Sequence, residues 1–316
     1  MTEAVHVETP LGGALVGTIV GRSPGVRKAL ALVDRFAATP VPVLIVGPTG
    51  TGKELFARRV HAKSGRRGAF VAVNCGALPR DMVESLLFGH RRGAFTGALE
   101  STTGFIEAAD RGTLYLDELS SLSPETQVKL LRVLDSREFH RLGETRSCAV
   151  DFRLVASVQE DLADRIEHGA FRLDLYQRVA GVVVQLDSLC DRRDDPPLLA
   201  QYFARLRGTT VAPGVDAVLL AYAWPGNVRE LRAAIDRALF LSDNGALHPA
   251  ALAEAIELGQ PNGAARPAGK PNGARARLVA ICEANGWDSR RVAAALGVHR
   301  ATLFRRLRQF GLSLRR

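Results

Sequence analysis

A chain of 316 residues with a net charge of +9 and 47% hydrophobic residues is long enough for two domains. It has neither an apolar run near the ~20 residues of a membrane-spanning helix nor the basic-then-apolar start of a signal peptide. Its four cysteines, Cys75, Cys148, Cys190 and Cys282, are scattered without a C-x-x-C pair, which argues against a metal centre or a disulfide framework and fits a reducing cytoplasm.

In chain order, residues 1–19 form a short extension. From 20 to 190, short β-branched runs alternate with longer amphipathic ones. Strands are predicted at 41–46, 69–73, 112–118, 151–157 and 182–186, with helices between them, the pattern of a parallel sheet covered by helices. One such helix, 123–135, begins with Ser123 as N-cap and Pro124 in its first turn.

Between the first strand and the next helix lies Gly47-Pro48-Thr49-Gly50-Thr51-Gly52-Lys53-Glu54. Glycines at this spacing let backbone amides turn inward around phosphate oxygens, Lys53 supplies a charge for the β/γ-phosphates, and the helix N-terminus adds its dipole. The residue after the lysine is usually a Ser or Thr that holds magnesium; here Glu54 takes its place. Further on, Gly93-Ala94-Phe95-Thr96-Gly97-Ala98 is an apolar, aromatic tip between glycines, built from residues that form no core of their own.

The strand at 112–118 ends in two carboxylates. Asp117 suits magnesium coordination and Glu118 suits polarising an attacking water, which together with the glycine loop predicts ATP hydrolysis. Arg172 and Arg178 are placed on a helix before the last strand. Arginine neutralises charge on a transferring phosphoryl group, often from a neighbouring subunit, although such a pair alone also fits a solvated surface. From about 197 strand patterns stop, and residues 191–258 read as a helical lid in which Arg229 sits just inside a helix after a Pro-Gly turn.

Residues 259–274 are Gly, Pro, Asn and Ala with almost no bulky apolar residue, the composition of a flexible linker. Eleven Lys/Arg against two acids lie in residues 270–316, which equals the whole chain's excess of +9. That locates a polyanion partner on residues 275–316. There, residues 288–311 fit a helix-turn-helix. Asp288 or Ser289 caps the first helix, Val292, Ala293 and Leu296 face inward, and Gly297 makes the turn. Leu303 and Leu307 anchor a second helix that presents His299, Arg300, Thr302, Arg305 and Arg306 to base edges and phosphates of DNA.

Taken together, these motifs resemble the AAA+ ATPases that activate sigma-54 RNA polymerase, the bacterial enhancer-binding proteins. The resemblance runs from about Val20 to the C-terminus and rests on the glycine loop with its final glutamate, Asn-Cys-Gly-Ala-Leu-Pro (74–79), Leu-Phe-Gly-His-Arg-Arg-Gly-Ala-Phe-Thr-Gly-Ala (87–98), the strand ending at Asp117-Glu118, and Trp-Pro-Gly-Asn-Val-Arg-Glu-Leu (224–231). It implies an α/β P-loop NTPase with a parallel sheet and helical lid, followed by a small all-α helix-turn-helix domain of the Fis type. It also implies ATP and Mg2+ as cofactors at the seams of a homo-oligomer, from dimer to hexamer.

By that resemblance Asp117 and Glu118 are the Walker B pair, Arg172 and Arg178 act in trans, and Arg229 is the lid's sensor arginine. Asn74 matches the position that holds the Walker B glutamate in a nucleotide-dependent switch. Residues 93–98 match the loop that contacts sigma-54, and paired Fis-type modules predict two-fold symmetric DNA sites. The chain departs from the pattern at Ser157-Val158-Gln159, where the family has Ala-Thr-Asn, and at Leu86 and Leu173, where it has glutamates. Either Gln159 substitutes for the asparagine at longer reach or hydrolysis is slower.

The expected function is therefore a DNA-bound, sigma-54-dependent transcriptional activator. With only some twenty residues before the ATPase unit, control is expected from a regulatory partner protein, from expression level or by a nucleotide-independent route. Two rivals stand beside it. One is a repressor or competitor with a vestigial ATPase, the other an AAA+ remodeller of a different protein.

Overall fold

The structure is a computed structural model. It describes residues 5–9, 17–160, 162–242 and 245–260, and of the C-terminal segment residues 282, 283, 285–296, 303, 307 and 312; for 5–9, 17 and 294–296 only the backbone is described. The chain divides into two compact units, Met1–Leu220 with Trp224–Gly259, and Ala221–Ala223 with Gln260–Arg316.

The larger unit opens with an antiparallel hairpin, β1 (Val5–Thr9) on β2 (Gly17–Gly21), in the stretch where the sequence predicted no element. Helix α1 (Pro24–Phe36) follows, with the Ser23 side chain accepting from the Val26 amide. Then come β3 (Val43–Val46), α2 (Lys53–Lys63), β4 (Phe70–Asn74), the short helices α3 (Val83–Phe88) and α4 (Phe105–Ala108), and β5 (Thr113–Asp117). Helix α5 (Pro124–Ser136) is capped by Ser123 as predicted. A second hairpin, β6 (Glu138–His140) with β7 (Ser147–Ala149), leads to β8 (Arg153–Val158), α6 (Ala163–Glu167), α7 (Leu173–Val179) and β9 (Val182–Gln185).

Five strands form one parallel sheet in the order β4-β5-β8-β3-β9. The central strands β3 and β8 are buried along their whole length, whereas the edge strands β4 and β9 are only partly so. That is why the former read as unbroken apolar runs. Alternate residues serve opposite faces. Leu44, Val46, Leu114, Leu116, Leu154 and Ala156 join one core, while Val43, Ile45, Tyr115 and Val155 join the other, with α1 and α2.

Four helices make the lid, α8 (Asp195–Leu206), α9 (Val215–Ala221), α10 (Asn227–Leu241) and α11 (Pro249–Leu258). The lid is riveted to the sheet unit by Asp195, which is fully buried. Its Oδ1 accepts from the Arg22 amide at 2.7 Å and the Ser23 amide at 3.0 Å. Its Oδ2 accepts from the Ser23 hydroxyl at 2.9 Å and from Arg192 Nε at 2.7 Å.

In the smaller unit, α12 (Ser289–Leu296) starts after Asp288, whose Oδ1 accepts from the Arg290 and Arg291 amides at 2.9 Å each. Of the two candidate caps, Asp288 is the one used. Those amides hold its carboxyl below the ordinary carboxylate range. Cys282, Val292, Ala293, Leu303 and Leu307 form a buried cluster flanked by Trp287 and Leu312. The side chain of Leu296, Gly297 and the five predicted DNA-facing residues (His299, Arg300, Thr302, Arg305 and Arg306) lie outside the described residues. Among the described residues no helix is long and apolar enough to cross a membrane.

Candidate functional site

Parallel strands deliver their C-terminal ends to one edge of the sheet, and open α/β sheets bind ligands in the crevice there. That edge carries a cleft of about 650 Å³ lined by the loop after β3, by Asn74, Asp117 and Glu118 at the ends of β4 and β5, and by lid residues including Tyr202, Phe203 and Arg229. The loop is held open as a cradle by Gly50 and Gly52, at φ of 81° and 100°. Lys53 is buried, and its ammonium donates to the carbonyls of Gly47 at 2.8 Å and Pro48 at 3.2 Å. Burial pulls its pKa below the usual lysine value, Asp117 and Glu118 oppose that pull, and Arg229 adds to it. The Thr51 hydroxyl donates to Pro48. Glu54 is engaged away from the cradle, its carboxylate taking Arg58 Nε at 2.8 Å and Nη2 at 2.6 Å.

Asp117 Oδ1 accepts from the hydroxyls of Ser157 and Tyr115, the latter at 3.0 Å. Burial keeps the Tyr115 hydroxyl protonated far above its ordinary pKa, so it serves as a fixed donor. Glu118 adopts the left-handed backbone conformation, φ 55°. That costs a non-glycine residue roughly 1–2 kcal/mol and is characteristic of functional sites. Its Oε1 accepts from Gln159 Nε2 at 2.7 Å. Asn74 instead turns its side-chain oxygen to its own loop, accepting from the Gly76 amide at 2.9 Å and the Ala77 amide at 3.1 Å. Cys75, next to Asn74, is buried, and burial together with the two carboxylates pushes its thiol up to about 12. It is a packing residue.

The lid meets the cradle at the cradle's backbone carbonyls. Arg229 donates its amide to the Gly50 carbonyl at 3.3 Å. Asn227 Nδ2 donates to the Thr49 carbonyl at 2.9 Å, while its Oδ1 accepts from the Leu189 amide at 2.7 Å. Asn227 is buried and has φ of 55°. Asn227→Ala therefore strands buried polar groups and places alanine in a left-handed conformation. An expected loss of about 2–4 kcal/mol follows, measured by denaturant unfolding. Asn227→Gly should recover about 1 kcal/mol of that; equal losses would remove the conformational part of the account.

Arg172 and Arg178 are not among the residues that line this cleft. Arg172, predicted on the helix, is instead the extended residue just before α7, where it pairs with Asp174 at 2.7 Å. Arg178 pairs with Asp135 at 3.2 Å and donates to the Leu134 carbonyl. Both guanidinium side chains are nearly half exposed.

The tip at residues 93–98 is a double turn. The Gly93 amide donates to the Ala98 carbonyl at 2.9 Å and the Ala98 amide to the Phe95 carbonyl at 3.0 Å. Gly93 and Gly97 have φ of 82° and 99° with open space where a Cβ would be. Phe95 remains 43% exposed and leans on the His90 ring, with centroids 5.1 Å apart. Leu99, not singled out by the sequence, extends the apolar surface at 81% exposure. The loop rests on the turn between β6 and β7. A Cβ at Gly143 would come within 2.9 Å of Ala94 Cβ, and Arg91 pairs with Glu144 at 2.9 Å.

Residues 19–185 match the family model described as the sigma-54 interaction domain, and residues 190–268 match the AAA+ ATPase lid domain. The chain is 41% identical over 315 residues to the C4-dicarboxylate transport transcriptional regulatory protein DctD of Pseudomonas aeruginosa, covering 94% of this chain but 65% of that one. With the transcriptional regulatory protein ZraR of Escherichia coli it shares 39% identity over 97% of this chain and 72% of that one. Among solved structures, NtrX of Brucella abortus in complex with ATP superimposes with a TM-score of 0.68 at 34% identity, over 94% of this chain and 70% of that chain.

Proposed function

The chain belongs to the sigma-54 interaction domain family of AAA+ ATPases, and from that premise we propose that it is an ATP-hydrolysing, DNA-binding activator that remodels sigma-54 RNA polymerase through the loop at 93–98. What supports the reading most is one arrangement: Lys53, Asp117 and Glu118 line a single lidded cleft, while Phe95 is held out on a glycine-hinged turn.

The residues suit a nucleoside triphosphate. An ammonium has three donors, and among the described residues Lys53 uses them on two carbonyls of the cradle, leaving capacity for a phosphate oxygen. Arg229 stands at the lid side of the same cleft. A magnesium ion, when bound, would neutralise phosphate charge, and Asp117 is the carboxylate suited to hold it, with one oxygen already fixed by two hydroxyls. Glu118 would take the proton side of the reaction, orienting water for in-line attack. Arg172 and Arg178, outside their own chain's cleft, suit donation to a neighbouring copy in a ring. Residues 275–316 would hold two-fold symmetric DNA through their basic face.

A second reading, a repressor or competitor with a weakened ATPase, has Val158 in its favour. The side chain at the family's threonine position is fully buried and carries no hydroxyl.

The test is open-complex formation at a sigma-54 promoter with purified polymerase. Wild type is expected to open the promoter with ATP. Phe95→Ala and Thr96→Ala should lose at least tenfold in opening while keeping ATP turnover, since an interface anchor of this kind is worth 2 kcal/mol or more, roughly a thirtyfold effect. Wild-type turnover without opening would defeat the reading in favour of a remodeller of a different protein, whereas the absence of both would favour the second.

A further inference from the structure

Both carboxylates at the end of β5 are gripped by the end of the neighbouring strand β8. Ser157 places its hydroxyl on Asp117 Oδ1, and Gln159 places its amide nitrogen 2.7 Å from Glu118 Oε1. The amide orientation is fixed by chemistry, because an ionised carboxylate only accepts. On its other side, Glu118 Oε2 lies over Gly76, only 2.3 Å from where a Cβ at that position would be. The carboxylate thus sits in a slot with a donor on one wall and bare backbone on the other. Among the described residues Asn74 makes no hydrogen bond to it; the Asn74 oxygen closes the turn at Gly76 and Ala77.

Building on the ATPase reading above, we propose that Gln159 is the positioning residue for Glu118 in this chain, and that the β8 terminus, by holding Asp117 through Ser157 and Glu118 through Gln159, sets both carboxylates together. The added methylene of glutamine over asparagine provides the reach from the strand end to Glu118. Val158, buried between them, anchors the pair to the core. A shift of this strand end therefore moves Asp117 and Glu118 together.

Two readouts test this on the full chain. In steady-state ATP hydrolysis, Gln159→Ala is expected to lower kcat roughly ten- to hundredfold, the size of one lost hydrogen bond to a charged group. KM should stay within about twofold. Gln159→Glu, of equal size but with no donor, should fall at least as far, and Gln159→Asn should recover part of the loss. In nucleotide-free thermal melts, the losses of Gln159→Ala and Glu118→Ala should be non-additive, while those of Asn74→Ala and Glu118→Ala should add. Additive Gln159 and Glu118 losses, or coupling found for Asn74 instead, would overturn the proposal. A wild type that hydrolyses no ATP would defeat the ATPase reading, yet the melts would still decide whether Gln159 holds Glu118.

Discussion

Glu118→Gln is expected to lower ATP turnover by on the order of 10²–10⁴ while nucleotide affinity changes only a few-fold, because general-base contributions are of that size and the binding groups are untouched. The substitution keeps the volume of the side chain in its slot above Gly76, and a glutamine oxygen still accepts from Gln159. What disappears is the negative charge and its basicity. Lys53 keeps its two carbonyl partners, and Asp117 keeps both hydroxyls. Turnover measured by phosphate release, beside affinity for a fluorescent nucleotide analogue, separates the two quantities. Turnover within threefold of wild type would mean that Glu118 does not act in hydrolysis.

The largest effect on stability is expected at Asp195. Removing one partner of a buried, multiply hydrogen-bonded ion pair typically costs about 3–5 kcal/mol. Here Asp195→Ala leaves the Arg22 and Ser23 amides, the Ser23 hydroxyl and the Arg192 guanidinium without their acceptor. For a unit of this size each kcal/mol corresponds to roughly 2–4 °C, so the melting temperature should fall by about 6–20 °C. Asp195→Asn, which retains an acceptor oxygen, should lose distinctly less. A fall below about 3 °C for Asp195→Ala would show that the Asp195 contacts contribute little to holding the lid.

These two residues also mark what the sequence could and could not disclose. Glu118 was legible because its signal is local: an apolar strand ends in two acids, and a glycine-rich loop with a lysine stands one strand away. The five strands of the sheet and the capped helix at 123–135 were legible for the same reason, since burial on both faces and a Ser-Pro start leave marks in neighbouring residues. Asp195 left no such mark. Its partners at Arg22 and Ser23 stand more than 170 positions away, and it reads as one more acid in a charged run. Gln159 appeared only as a departure from a pattern, and its contact with Glu118 spans 41 positions. Asn74 matched a motif, and its oxygen accepts from the amides of its own turn, a local contact that the motif does not announce. The left-handed backbone at Glu118 was invisible because glutamate does not announce it, whereas asparagine after a Pro-Gly turn, as at Asn227, is a residue type that adopts it.

The join between lid and cradle has one more consequence. Its hydrogen bonds run to the main-chain carbonyls of Thr49 and Gly50, and the Gly226 carbonyl approaches so closely that a Cβ at Gly50 would lie 2.2 Å from it. Asn227 apart, a join fastened in this way depends little on side-chain identity but is unforgiving of chain length. Exposed lid positions away from the cleft can be substituted, whereas one residue inserted into the Pro225-Gly226 turn would shift α10 out of register and break its bonds to the Thr49 and Gly50 carbonyls.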